Sequence, residues 1–137
     1  MNKDNPFVAY RHRARYHEVD LQGVVYNAHY LTFFDIALGE YLRALNFALP
    51  PPGASHDFHV ARATVDYRRP IRLDEEVDIT VRVARLGRSS VTFALEALGM
   101  AGEGDVRAMG EVVWVWTDQQ AGKATALPAA LKERLAG

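Results

Sequence analysis

The sequence predicts an α+β domain, a five-stranded antiparallel sheet wrapped around one long central helix. Three observations predict it. The stretch from Asn27 to Asn46 carries aliphatic and aromatic residues over most of a helical circumference, so other elements must cover it. One alternating segment precedes this helix and four follow it. The last of these are joined by short, glycine-bearing turns, as antiparallel neighbours are.

Each element has its own signal. Residues 1–6 read as a loose start. Within Phe7–Tyr16, Arg11, Arg13 and Arg15 alternate with His12, Ala14 and Tyr16, which is a strand with its arginines turned to solvent. Glu18 to Val25 is polar, contains Gly23 and reads as a loop. Asn27 is placed to cap the helix through its side chain, and Asn46 to stop it. Glu40 and Arg43 form an i,i+3 pair on one edge. The connection FALPPPGASHDFH, residues 47–59, holds three consecutive prolines and suits a lid, a crossover or a subunit contact.

Strands are then expected around Ala63–Tyr67, Val77–Val83, Val91–Glu96 and Val106–Thr117, as a four-stranded meander with turns at 87–90 and 99–105. A short helix follows Pro128, at Ala129–Leu135.

Size and composition limit the function classes. The chain of 137 residues reads as one domain, 1–137. Its net charge of −1 argues against nucleic-acid binding and against a polybasic membrane surface. No apolar run approaches the roughly 20 residues that span a bilayer. There is no cysteine, and the N-terminal residues have no apolar signal core, so a cytoplasmic protein is expected. Only Lys3, Lys123 and Lys132 are lysines among 16 basic residues; the rest are arginine, whose planar fork suits phosphate and carboxylate.

The chemistry points to one stretch. Asp20 stands before a glycine and just ahead of a buried helix, whose first N–H groups favour an anion or a developing oxyanion. Gly23 lets this loop approach a substrate closely. His56 and His59, with Asp57 between them, lack a convincing third ligand and a helical frame, so no metal site is expected. Ser55-His56 is not read as part of a hydrolase triad, because no G-x-S-x-G elbow occurs.

The segment Asp20-Leu21-Gln22-Gly23-Val24-Val25-Tyr26-Asn27-Ala28-His29-Tyr30-Leu31 resembles the signature of hotdog-fold acyl-CoA thioesterases of the 4-hydroxybenzoyl-CoA thioesterase-like family. Phe33-Phe34, Glu40, Leu42 and Arg43 continue the match. Tyr67-Arg68-Arg69-Pro70 and Leu86-Gly87-Arg88-Ser89-Ser90 resemble its later motifs.

The resemblance implies a hotdog fold and a thioester hydrolase acting on acyl-CoA without a cofactor, assembled as a homodimer or homotetramer with sites between subunits. It implies Asp20 as nucleophile or general base and the backbone N–H groups of Asn27 and Ala28 as oxyanion hole. Arg68, Arg69, Arg88, Ser89 and Ser90 are the candidates for holding the CoA moiety. The chain departs from the pattern at Glu18, where the family often has aspartate, and at Asn27, where many relatives have histidine. Two other readings stay open: a thioesterase for acyl carrier protein, and a non-catalytic acyl-CoA-binding module.

Overall fold

The computed structural model describes residues 6–99 and 104–137. The expected loose start and the turn at 99–105 lie largely outside them. Alternation along the chain becomes one antiparallel sheet of β1 (Phe7–Arg13), β2 (His56–Tyr67), β3 (Glu76–Leu86), β4 (Ser90–Gly99) and β5 (Val106–Asp118). A two-residue strand β6 (Lys123–Ala124) is added at the end of β5. Helix α1 (His29–Ala44) lies on one face, and α2 (Ala129–Ala136) follows the last strand.

The strand order is β1-β3-β4-β5-β2. Strands β3, β4 and β5 form the expected meander, but β2 does not join it beside β3. It crosses to the far side of β5 and pairs there, Tyr67 opposite Ala108 and His56 opposite Asp118. The cause lies between β2 and β3, in a connection stiffened by Pro70 and too long for a tight hairpin. The N–H groups of Arg68 and Arg69 both donate to the Arg107 carbonyl, at 2.8 and 3.0 Å, and turn the chain across the end of the sheet. The two strands that flank α1 in sequence thereby become the two edges.

The core lies between α1 and the sheet. Tyr30, Phe33, Phe34, Ala37, Leu38, Tyr41 and Leu42 form the buried stripe of the helix, at the spacing of one face. Opposite them stand Val77, Ile79, Val81, Phe93 and Leu95, all essentially without exposure. Each fully buried aliphatic or aromatic side chain contributes about 1.5–3 kcal/mol. At Gly110 the helix comes down onto the sheet: an added Cβ would overlap the Thr64 carbonyl oxygen and stand 3.2 Å from the Phe34 ring. Leu31 and Ile36 lie outside the stripe and stay exposed in the single chain.

The helix starts and stops by backbone means. Ala28, not Asn27, is the capping residue, and it has no side-chain cap bond. Ala28 already has helical angles, φ −67° and ψ −25°, so the chain enters the helix through a turn rather than from an extended cap. At the other end Asn46 adopts φ 59° and acts as the expected stop. The N–H groups of Asn46 and Phe47 reach back to the carbonyls of Arg43 and Leu42, both at 3.0 Å, which satisfies the last turn.

Candidate active site

Asp20 sits on a small hairpin. Val19 and Val25 bridge across its base, the Asp20 N–H donates to the Val24 carbonyl at 2.9 Å, and the Gly23 N–H returns to the Asp20 carbonyl at 2.9 Å. Gly23 takes φ 76°, the left-handed conformation that closes such a loop and that side-chain-bearing residues rarely adopt. The Asp20 carboxylate is half-buried, and its Oδ1 accepts from the Gln22 N–H at 2.8 Å. Among the described residues its other oxygen has no protein partner.

The second arm runs directly into the start of α1. His29 N–H donates to the Tyr26 carbonyl at 3.0 Å and Tyr30 N–H to the Asn27 carbonyl at 3.4 Å. Among the described residues the N–H groups of Asn27 and Ala28 have no acceptor. They are the unpaired donors of a helix start, on the same short stretch as the acid.

A notch of about 250 Å³ opens beside this turn, walled by Val24, Asn27, Tyr30, Tyr67, Arg68 and Arg69 among others. Asp20 is not one of its walls; it stands across the hairpin from Val24, which is. The Tyr67 hydroxyl donates to the Asn27 carbonyl at 2.9 Å, and its ring meets Tyr30 edge-on at 5.0 Å. Tyr67 therefore holds the turn whose N–H groups are free, a role that its place in a Y-x-x-P motif did not disclose.

Behind the notch, Arg107 is buried and ties four points together. It donates to Asp105 at 2.7 Å, to the Pro70 carbonyl at 2.9 Å and to both oxygens of Glu75 at 3.1 and 2.8 Å. The bond from Arg107 holds the Glu75 carboxyl below its ordinary range, and the same cause lowers Asp105.

Beneath the hairpin lies a second polar group. His12 Nε2 is 2.8 and 3.0 Å from the Glu18 oxygens, and His12 Nδ1 is 2.7 Å from the Tyr10 hydroxyl. Glu18 Oε1 also accepts from the Arg15 N–H at 2.7 Å. His12 and Glu18 are only 9% and 8% exposed. Burial alone would raise the Glu18 carboxyl. The bonds from His12 and the Arg15 N–H more than offset this and leave it below the ordinary glutamate range. Burial, then the charge of Glu18, pushes the Tyr10 phenol up. The one sequence cue was the alternation that puts His12 on the inward face with Ala14.

The other expected residues are spread along the molecule. Arg68 borders the notch, touches Met109 sulfur at 3.4 Å and has no carboxylate partner among the described residues. Arg69 also borders it but pairs with Asp105 at 3.0 Å. Arg88, Ser89 and Ser90 lie at the far end of the sheet. Tyr67 stands opposite Ala108 and Ser90 opposite Val115 on β5, a separation of about 23 Å along the strand. One chain does not bring them to Asp20.

At that far end Ser55 Oγ is 3.0 Å from His56 Nδ1, and His59 Nε2 is 3.0 Å from Gln119. Among the described residues no three His, Asp, Glu or Cys side chains gather as a metal site, and no helix is long and apolar enough to cross a membrane.

Comparison with known proteins gives this geometry a family. Residues 22–98 match the thioesterase superfamily model, a span that begins just past Asp20. The acyl-CoA thioester hydrolase YbgC of Escherichia coli is 32% identical over 117 residues, 85% of this chain and 86% of that protein. The crystal structure of PA5185 from Pseudomonas aeruginosa is 31% identical, with a TM-score of 0.82 over 92% of this chain and 87% of that one. SAV2348 from Staphylococcus aureus, solved in complex with CoA, is 13% identical and shares the fold, with a TM-score of 0.86 over 99% of this chain and 84% of that one. The chain therefore belongs to the thioesterase superfamily, with its hotdog fold, and is a thioester hydrolase.

Proposed function

We propose that the chain hydrolyses an acyl-CoA thioester to the free acid and CoA. One observation carries this reading: the free N–H groups of Asn27 and Ala28 share a hairpin-to-helix stretch with the Asp20 carboxylate, beside an arginine-bordered notch. The name of the YbgC relative supports CoA as the carrier.

In the reaction the thioester oxygen lies against the Asn27 and Ala28 N–H groups. Charge that develops there is stabilised, and each well-placed donor contributes about 10²–10³ in rate. Asp20 acts by one of two routes. As a general base it takes a proton from water while the water oxygen attacks the carbonyl carbon. As a nucleophile it attacks the carbon itself, and water then cleaves the mixed anhydride. In both routes the C–S bond breaks and the CoA thiolate leaves and is protonated. Arg68, without a carboxylate partner among the described residues, is the best placed arginine for a CoA phosphate, with Arg69 beside it.

The same reading makes the working form a homo-oligomer built on a dimer. Strand β2 pairs with β5 on one side, and its other edge is open over twelve residues. His59 to Ala63 are exposed in a row, with Val60 at 57%. An apolar groove of about 350 Å³ runs beside them, between Leu31 and Leu38 of α1 and Val60 and Ala63 of β2. Antiparallel pairing of two such edges brings the His56 end of one strand to the Tyr67 end of the other. Arg88, Ser89 and Ser90 of a second copy then approach the hairpin that one chain leaves them far from. The absence of cysteine supports the cytoplasm as its compartment.

The test is an assay of CoA release from short, long and aromatic acyl-CoAs. Asp20→Asn and Asp20→Ala are expected to lower kcat by about 10³-fold. Full activity in both variants removes Asp20 from the reaction.

A further inference from the structure

Asp20 projects from a hairpin whose second arm is anchored to the sheet side, by the Val25 N–H on the Ile71 carbonyl at 2.8 Å and by a Val24–Arg72 bridge. The backbone bonds of the hairpin set its local shape. The arm that bears Asp20 has a further hold from below, through Glu18.

Glu18 stands two residues before Asp20, at the base of the first arm. Its carbonyl accepts from the Tyr26 N–H at 2.9 Å, which joins it to the second arm just ahead of Asn27. Its carboxylate reaches down to His12 of β1. The His12 ring lies 4.1 Å from the Phe33 ring of α1, centroid to centroid, and Tyr10 holds its other nitrogen. Three elements thus meet at one imidazole: the sheet edge, the base of the hairpin, and the first turns of the helix that carries the free N–H groups.

The bonding pattern is directional. The Glu18 carboxylate can only accept, so Nε2–H is the donor to it; in that neutral tautomer Nδ1 is left to accept from the Tyr10 hydroxyl. Other charged or titratable groups nearby are Arg15, whose N–H bonds Glu18, and exposed His17, whose Nε2 is 4.0 Å from the Glu18 carboxylate. An apolar pair would avoid the cost of taking a carboxylate out of water. What it would lack is a fixed direction for the arm that bears Asp20.

We propose that Tyr10, His12 and Glu18 form a buried strut that orients the Asp20 hairpin, so that His12 and Glu18 are positioning residues for thioester hydrolysis. This rests on the reading of Asp20 above. The strut touches no substrate; it sets the spacing between the acid and the oxyanion donors, and displacements of about 1 Å in such spacing cost on the order of 100-fold in rate.

The experiment measures kcat and KM for one acyl-CoA in the full chain. The variants are His12→Gln, Glu18→Gln, Tyr10→Phe and His12→Gly, with Asp20→Asn alongside, at a temperature where circular dichroism shows each folded. His12→Gln and Glu18→Gln are expected to lose at least tenfold in kcat with KM within twofold. Tyr10→Phe, which keeps the His12–Glu18 bond, should lose two- to fivefold, and added imidazole should restore part of kcat to His12→Gly. Unchanged kcat in His12→Gln and Tyr10→Phe, while Asp20→Asn is inactive, overturns the strut. So does a loss confined to KM that imidazole does not reverse. Full activity in Asp20→Asn overturns the assignment of Asp20 instead.

Discussion

Two histidine-bearing regions sit at opposite ends of the sheet and behave differently. At the start of β2, His56 and His59 have serine, aspartate and glutamine beside them, and they are the pair that invites thoughts of metals and triads. Each makes one side-chain bond at the surface. At β1, His12 belongs to no motif, yet it is buried, bonded at both ring nitrogens and packed on Phe33. A histidine acquires consequence from burial and from partners on both sides. Proximity of suggestive residue types along the chain is not enough.

The largest effect is expected from His12→Ala. It leaves the Glu18 carboxylate buried without its main partner and is expected to cost about 3 kcal/mol in a denaturant titration. His59→Ala, which loses one surface bond to Gln119, should change the stability of the single chain by less than about 0.5 kcal/mol. A loss at His59 as large as that at His12 removes the distinction.

Next in size is Tyr10→Phe, which removes one half-buried hydrogen bond and keeps the ring. About 1 kcal/mol is expected from thermal or chemical unfolding.

A pH series sharpens the point further. The folded Glu18 carboxyl lies below its ordinary value, so the unfolded chain binds that proton first. The contribution of Glu18 is present above the ordinary glutamate value and is lost as pH falls through the folded one. Wild-type stability should therefore drop more steeply than that of Glu18→Gln as pH falls below the ordinary glutamate value, and parallel curves would contradict the direction assigned to Glu18. The smallest expected effect is at Arg43, whose 3.4 Å pair with Glu40 is exposed; Arg43→Ala should cost no more than about 0.5 kcal/mol.

What the sequence disclosed follows from the range of the interactions involved. The Gly23 turn, the Asn46 stop and the alternation of β3 and β4 are set by residues within a few positions of one another, and they stand where the pattern puts them. Asp20 was legible for the same reason, as an acid in a local turn before a helix. The crossing of β2 was not. It goes with Arg107 holding Pro70 and Glu75, contacts that span 37 and 32 residues of sequence. The cap at Asn27 failed because Tyr67, forty residues on, holds its carbonyl in a turn that leaves no extended cap. The strut was hidden too: neither a strand histidine nor a loop glutamate signals anything alone, and their meeting is tertiary.

The open edge of β2 has a consequence for handling the protein. A twelve-residue ladder of backbone donors and acceptors, guarded by Arg62 and the irregularity beside it, is a template for any extended chain. In the proposed pairing of two copies this edge is covered, and dilution to the single chain would expose it. Resistance to heat and to precipitation should then rise with protein concentration over the range where copies pair, the reverse of what an ordinary monomer shows. Val60→Lys, which places a charge on that edge, should abolish the dependence and yield a single-chain species by light scattering.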